Sequence, residues 1–235
     1  MARMKFMNIE IDNLTMQETL QAIDQLIQED RSAYVVTPNV DHIVQLETNE
    51  ELQEVYENAS LILTDGKPLL WIANWYGTPI KEKISGSDLF PLLCKMATEK
   101  GYKMFFLGAA EGVAAKAAEN LANKFKGLQV VGTYSPPFGF EKDPVEMDKI
   151  KSMIKEATPD ILIVGLGCPK QEKFMYHHCT ELGVPISFGL GASFDFEAGN
   201  IKRAPRWMAN HGLEWLFRIT QDPKRMSKRY LVDDR

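Results

Sequence analysis

Four short segments combine carboxylate, amide or hydroxyl side chains with glycine or proline, a mixture suited to small-ligand sites. They are Thr37-Pro38-Asn39-Val40-Asp41-His42, Thr64-Asp65-Gly66-Lys67-Pro68, Leu107-Gly108-Ala109-Ala110-Glu111-Gly112 and Gly165-Leu166-Gly167-Cys168-Pro169-Lys170-Gln171-Glu172. In the third and fourth, glycine lets the backbone approach a ligand, and N–H groups at a helix start can cradle phosphate. Pro169 at a helix start, Lys170 and the Gln171 amide suit a nucleotide's phosphate or base. Each segment also has a purely structural reading. Thr37 would cap a helix with Pro38 in its first turn, and Asp65 would cap one starting near Pro68. The glycines would serve tight packing, and the fourth segment would be an ordinary strand-to-helix loop.

Familiar signatures are incomplete. Gly165-x-Gly167 and Gly189-x-Gly191 lack the third glycine of a dinucleotide fingerprint, and Gly66-Lys67 lacks Walker spacing. No Gly-x-Ser-x-Gly elbow occurs. Asp195-Phe196-Glu197 is the nearest approach to an Asp-x-Asp metal motif, and it is weak. His177, His178 and Cys179 are adjacent rather than metal-spaced, so a packing or surface role is expected and no metal site.

Charge is distributed unevenly. Residues 201–235 carry nine basic and four acidic groups, a net +5, against 18 basic and 28 acidic groups, a net −10, in the first 200. Arg203, Arg206, Trp207, Trp215 and Arg229 lie in this stretch, and Arg218, Arg225 and Arg229 alternate with Trp215, Leu216, Met226 and Tyr230. A basic stripe beside an apolar one fits an anionic partner: a membrane surface or a phosphorylated substrate. The strongly acidic body argues against nucleic acid.

The elements that must position these groups follow from hydropathy. Short β-branched or aromatic runs occur at 33–37, 61–64, 103–107, 128–134, 160–164 and 185–188, each about the length of a buried strand. Between them lie helical patterns: from the capping box Thr15-x-x-Glu18 to about Glu29, Asp88–Lys100 closed by Gly101, Glu111–Lys126 closed by Gly127, and Pro144–Ala157. This alternation predicts an α/β fold, a Rossmann-like, mostly parallel sheet with helices on both faces. Ligands in such sheets bind beyond the carboxyl ends of the strands, where all four segments fall. We divide the chain into an α/β catalytic domain over 1–199 and a basic, aromatic appendage over 200–235, with short helices at 201–211, 213–221 and 223–230. With 235 residues, 45% hydrophobic and 25% charged, the chain is neither disordered nor too small for a substantial core. Three scattered cysteines fit a reducing compartment. No 18-residue apolar run exists, and no secretion signal is expected at the N-terminus.

Taken together the segments resemble the bacterial glycosyltransferases of the WecG/TagA/CpsF family, family 26 of the glycosyltransferases, from about Ile9 to Leu231. The matching motifs are Thr37-Pro-Asn-Val-Asp-His42, Thr64-Asp-Gly66, Ser85-Gly-Ser-Asp88, Phe106-Leu-Gly108, Gly165-Leu-Gly-x-Pro-Lys-Gln-Glu172, Lys202-Arg-Ala-Pro-Arg-Trp207, Gly212-Leu-Glu-Trp-Leu-x-Arg218 and Pro223-x-Arg225. The resemblance implies inverting, metal-independent transfer from a UDP-sugar to a polyprenyl-diphosphate-linked saccharide, with no cofactor, at the cytoplasmic face of the plasma membrane. N-acetylmannosamine, its uronic acid, glucuronic acid and hexoses are all candidate donors. It further implies Asp65 as general base, Thr37 and Asn39 on the acceptor side, Gln171 in the donor motif, and Arg218 and Arg225 at the diphosphate. Lys83 and Lys228 stand where the family often carries arginine, which keeps the charge but loses the bidentate fork. Three alternatives stay open: a non-catalytic UDP-sugar-binding or scaffold protein, a nucleotide-dependent oxidoreductase or a methyltransferase. Oligomeric state is also open, a homo-oligomer included.

Overall fold

The computed structural model describes residues 3–29, 31–205, 207–208 and 211–221, without the side chains of Trp215 and Arg218. Arg206, Arg225, Lys228 and Arg229 lie outside the described residues, as do the Trp215 and Arg218 side chains.

The chain opens with an antiparallel hairpin, β1 (Met4–Phe6) and β2 (Ile9–Ile11), followed by helix α1 (Met16–Gln28). Next come β3 (Ala33–Val36), α2 (Val40–Leu46), α3 (Glu50–Glu57), β4 (Leu61–Ile62), α4 (Lys67–Trp75) and α5 (Gly86–Lys100). The second half runs β5 (Lys103–Gly108), α6 (Val113–Lys124), β6 (Gln129–Tyr134), α7 (Pro144–Ala157), β7 (Ile161–Gly165), α8 (Lys170–Leu182), β8 (Ile186–Gly189) and α9 (Ser193–Ala198). Helix α10 (Glu214–Gln221) closes the described part. Strands β3 to β8 form a parallel sheet in the order β4-β3-β8-β7-β5-β6. The α/β prediction holds, and each predicted run overlaps its strand, with β5, β7 and β8 each running one glycine further than predicted.

Alternate strand residues feed two cores, as a two-faced parallel sheet requires. Val35, Phe106, Ile163 and Phe188 face α1, α5, α6 and α9. Val36, Phe105, Leu107, Leu162 and Val164 face α2, α3, α7 and α8. On the first face Phe90 of α5, Phe106 of β5 and Phe194 of α9 make a buried aromatic triad with ring centroids 5.2–5.5 Å apart. The short edge strand β4 is closed by Asp12: the Asp12 N–H donates to the Ile62 carbonyl, and the Ile62 N–H donates to Asp12 Oδ2, each at 2.9 Å.

Local signals are realised unevenly. The Thr15/Glu18 capping box forms as predicted. Helix α6 stops at Lys124, short of the predicted Lys126, where Phe125 leaves helical geometry and packs on the core. The predicted helix over 201–211 does not form across 202–205; Trp207 and Met208 alone are helical among its described residues.

Two glycines that promised ligand contact make close protein contacts. A Cβ on Gly108, at φ +109°, would sit 2.4 Å from the Gly165 carbonyl oxygen, and one on Gly165 would sit 2.5 Å from the Phe194 ring. The ends of β5, β7 and α9 therefore interlock without side-chain spacers. Gly165→Ala should overpack the triad and cost about 2–3 kcal/mol. That lowers Tm by roughly 5–10 °C in a chain of this size, measurable by thermal unfolding; an unchanged Tm would refute the packing argument.

Candidate active site

The parallel ladder delivers the loops after β3, β4, β7 and β8 to one edge of the sheet. Two backbone bonds extend the β3–β4 pairing past the strands: Leu63 N–H donates to the Val36 carbonyl at 2.9 Å, and Asp65 N–H donates to the Pro38 carbonyl at 2.8 Å. Asp65 is thereby fixed beside Thr37 and Asn39. On its other flank Ile84 N–H donates to the Thr64 carbonyl at 2.9 Å, which draws in the loop carrying Lys83. Thr37 is buried, whereas Asn39 and Asp65 are half-buried.

The capping expectations for the first two segments are corrected. Asn39, not Thr37, caps α2, its Oδ1 accepting from the His42 N–H. Gly66, at φ +108°, occupies the cap position of α4 with no side-chain cap bond. Thr37 still lies in the run of buried backbone continuing β3, and the turn at Gly66 leaves Asp65 one residue outside the helix. Neither residue occupies the cap position.

Beneath these loops runs a buried polar chain. His42 places Nδ1 2.8 Å from Asn39 Oδ1 and Nε2 3.4 Å from Glu172 Oε1. Gln171 Nε2 donates to the same Glu172 oxygen at 2.8 Å. Glu172, His42 and Gln171 are 1%, 5% and 6% exposed. The chain Asn39–His42–Glu172–Gln171 thus joins the loop after β3 to the start of α8. Gln171 is held tightly from above: a Cβ on Gly189 or Gly191 would come within 2.9 Å of its amide. Among the described residues, Glu172 Oε2 and Gln171 Oε1 have no hydrogen-bond partner. Tyr56 packs against His42 with centroids 6.4 Å apart, and burial pushes its phenol well above the ordinary value, so it is neutral. Sequence reasoning missed the roles of His42 and Glu172. Both lie in the quoted motifs, but nothing local marks a contact across such a separation.

His42, Cys168 and Glu172 offer ligand atoms all within 4.8 Å of one another, a composition a metal could use. Both His42 ring nitrogens, however, already face Asn39 and Glu172. His177 instead contacts Glu51 at 3.0 Å and His178 lies 3.6 Å from Glu181, while Cys179 is buried, in line with their expected packing and surface roles.

A second polar hub gathers the basic groups. Asp88, in the first turn of α5, accepts from the Ser85 hydroxyl at 2.5 Å, pairs with Arg203 and lies 3.4 Å from Lys83 Nζ. Lys83 also reaches Glu214 of α10 at 4.0 Å. Burial alone would raise the Asp88 carboxyl, but Ser85, Arg203 and Lys83 outweigh it and hold the pKa below the ordinary carboxylate value. Arg203, expected on a membrane-facing surface, is therefore tied to the body. Trp207 is 60% exposed.

Beyond β5, β6 and β7 opens a cleft of about 770 Å³, lined by Ala109, Ser135, Phe138, Glu141, Gly165 and Lys170 among others. Lys170 donates to Glu141 at 2.5 Å, and its ammonium stands 4.9 Å from the Phe138 ring centroid. Gly167 is exposed at φ +79°, and Pro169 follows a cis peptide at the head of α8. Asp195 lies in the first turn of α9, its Oδ1 accepting from the Asn200 amide at 3.4 Å. The structure thus gathers Thr37, Asn39, Asp65 and Gln171 around one buried polar chain. Lys170 belongs to the neighbouring cleft, and Lys83 with Arg203 to the Asp88 hub.

A parallel sheet with polar loops and a cleft at its carboxyl edge is the arrangement in which α/β proteins bind small ligands. Residues 4–234 match the Glycosyl transferase WecG/TagA/CpsF family, and the chain belongs to that family and is a glycosyltransferase. It is 34% identical over 200 residues to the N-acetylglucosaminyldiphosphoundecaprenol N-acetyl-beta-D-mannosaminyltransferase of Bacillus spizizenii, covering 85% of this chain and 75% of that one. It is 26% identical to the enzyme of the same name from Staphylococcus aureus strain MW2, over 97% of this chain and 88% of that one. Among the described residues, no helix is long and apolar enough to cross a membrane.

Two outcomes follow from this geometry. His42→Ala leaves a buried carboxylate without its imidazole, at a cost of about 3–5 kcal/mol. The corresponding fall in Tm is roughly 10 °C, read by calorimetry. Because Asp88 titrates below the ordinary value of about 3.9, its stabilisation is complete above that pH and is lost only as pH falls through the depressed value. Asp88→Asn should therefore loosen residues 202–205 at neutral pH, seen as faster tryptic cleavage after Lys202 and Arg203, while the wild-type chain stays resistant down to about pH 4. Equal cleavage rates would refute the tether.

Proposed function

We propose that this glycosyltransferase moves an N-acetylmannosamine-type sugar from UDP onto a polyprenyl-diphosphate-linked saccharide in teichoic acid or related cell-surface polymer synthesis. It would do so with inversion and without a metal. The observation that carries this reading is the fixing of Asp65 beside Thr37 and Asn39 by its own backbone bond to Pro38. A displacement at the anomeric carbon needs one carboxylate near the attacking hydroxyl, and Asp65 is the acid so placed. The printed names of the relatives support the acceptor and sugar, and their β-configured product is the one a single displacement on an α-linked donor gives.

In this mechanism Thr37 and Asn39 orient the acceptor hydroxyl, Asp65 takes its proton, and the donor diphosphate departs. Gln171, with its amide oxygen buried and its nitrogen tied to Glu172, supports the donor-side loop from beneath rather than touching the donor. The nucleotide occupies the cleft beyond β5, β6 and β7, with Gly108, Gly165, Gly167, Pro169, Lys170 and Asp195 along the donor side. The negative charge that develops on UDP is balanced by helix starts and by cations. Lys83 supplies one; Arg218, Arg225 and Lys228 are assigned the same task from the family pattern. The basic appendage, with Arg206, Trp207, Trp215 and Arg229, holds the enzyme to the anionic inner surface of the plasma membrane, where the acceptor resides, while Arg203 fastens it to the body through Asp88.

Asp65→Asn should lower turnover by about 10²–10⁴-fold while UDP still binds. The measurement is transfer from a panel of UDP-sugars to a synthetic short-chain lipid-diphosphate acceptor, followed by mass spectrometry, with UDP binding by calorimetry. Near-normal turnover would remove Asp65 as base. Chelator should leave the wild-type rate unchanged; a rate lost to chelator and restored by a divalent ion would overturn the metal-free reading.

A further inference from the structure

Helix α4 buries Leu69 and Ala73 and turns a different face outward. Lys67, Trp71 and Trp75 fall at intervals of four, so they form one stripe along that face. Trp71 is 53% exposed, Trp75 83% and the following Tyr76 64%. The Trp75 and Tyr76 rings pack edge to face with centroids 5.3 Å apart, a small aromatic platform standing in water. At the inner end of the stripe Gly212 covers Trp71 and Lys67: a Cβ there would lie 2.4 Å from the Trp71 ring and 3.2 Å from Lys67 Cβ. The segment that supplies Gly212 exposes Trp207 and Leu216 as well. Large aromatic side chains in such number are rare on a monomer's surface unless something covers them.

We propose that the Lys67–Trp71–Trp75–Tyr76 face of α4 is an interfacial membrane anchor seated in the headgroup layer of an anionic bilayer. The inference rests on the lipid-linked acceptor of the preceding section. Three features select a bilayer over a second copy of the chain. Indole and phenol rings carry an apolar body and a polar tip, the combination favoured at the membrane–water boundary, and Lys67 adds a cation suited to anionic headgroups. At roughly 250 Å² for each large ring, the exposed fractions leave on the order of 500 Å², below the about 800 Å² per partner of a standard protein interface. Finally, α4 begins directly after Asp65-Gly66. A helix lying in the headgroup layer therefore sets the Asp65 loop at the depth where a lipid-linked diphosphate lies. This surface lies on the α/β body, adjoins the basic appendage at Gly212, and carries an apolar part of the attachment.

The test uses the full chain with vesicles of equal parts phosphatidylglycerol and phosphatidylcholine. Trp75→Ser/Tyr76→Ser should weaken co-sedimentation roughly tenfold or more, the loss expected when two large rings no longer leave water. Its transfer to a water-soluble short-chain acceptor should stay within about twofold of wild type, which also shows that the variant is folded. Trp75→Phe should keep most of the binding but lose part of the fluorescence quenching that lipids brominated on the acyl chain produce in the wild type. Wild-type-like sedimentation of the double variant, or quenching unchanged in Trp75→Phe, would overturn the proposal. So would concentration-dependent self-association that the double variant abolishes, which would make the face a contact between copies. Quenching that depends on Trp75, in an enzyme that transfers sugar to neither acceptor, would leave the anchor standing and remove the functional reading instead.

Discussion

The buried pair of His42 and Glu172 is the contact on which the geometry of the active edge depends. A carboxylate 1% exposed is tolerable only if its charge is met by hydrogen-bond donors. Glu172 Oε1 accepts from Gln171 beside it in sequence and lies 3.4 Å from His42 Nε2 across the sheet. His42 in turn steadies Asn39, whose side chain also caps α2. One buried carboxyl group thus links the side chains of both amides. The parallel register of β3, β8 and β7 brings the loops to the same height; the polar chain then removes the remaining freedom. Loosening it should disturb acceptor and donor sides together.

The Asp88 hub plays a comparable part for the C-terminal segment. Its carboxylate holds one cation from its own neighbourhood, Lys83, and one from far along the chain, Arg203. Because Lys83 also approaches Glu214, α10 is referred to the same small group of charges. The chain thus fastens a basic segment to an acidic body through a carboxylate at the start of a long helix, where the helix dipole already favours negative charge. Arginine at position 203 suits that role, since its Nη2 alone donates to both the Asp88 carboxylate and the Ser87 hydroxyl.

Most of the fold was legible because its strands are buried on both faces and so appear as continuous apolar runs. The hairpin β1–β2 was not, since three-residue strands around Met7, at φ +52°, carry neither a length signal nor a glycine. Capping was half legible. Thr15 and Glu18 satisfy each other within one turn, whereas Thr37 and Asn39 are both good caps, and only the burial of Thr37 alongside β3 decides between them. The site loops were visible as motifs; the structure joins the Asp65 loop to Pro38 by a backbone bond and links Asn39 to Gln171 through His42 and Glu172. The links that orient them, His42 to Glu172 and Asp88 to Arg203, connect residues over a hundred positions apart and become apparent only once the sheet order is known. The glycines at 108 and 165 show the opposite limit: residue type announced a close approach, and structure was needed to show that protein supplies the approaching atoms.

Asp12 has a consequence for how this molecule meets its own copies. At β4 the outward N–H and C=O of Ile62 are both occupied by Asp12, the N–H by its side chain and the C=O by its backbone. A stray strand arriving at that margin finds no ladder to continue, so growth of the sheet from molecule to molecule is blocked there by a single residue. At high local concentration a sealed margin lets copies pack closely without seeding fibrils from that side. Assembly along this flank is left to side-chain surfaces, which can form and separate reversibly.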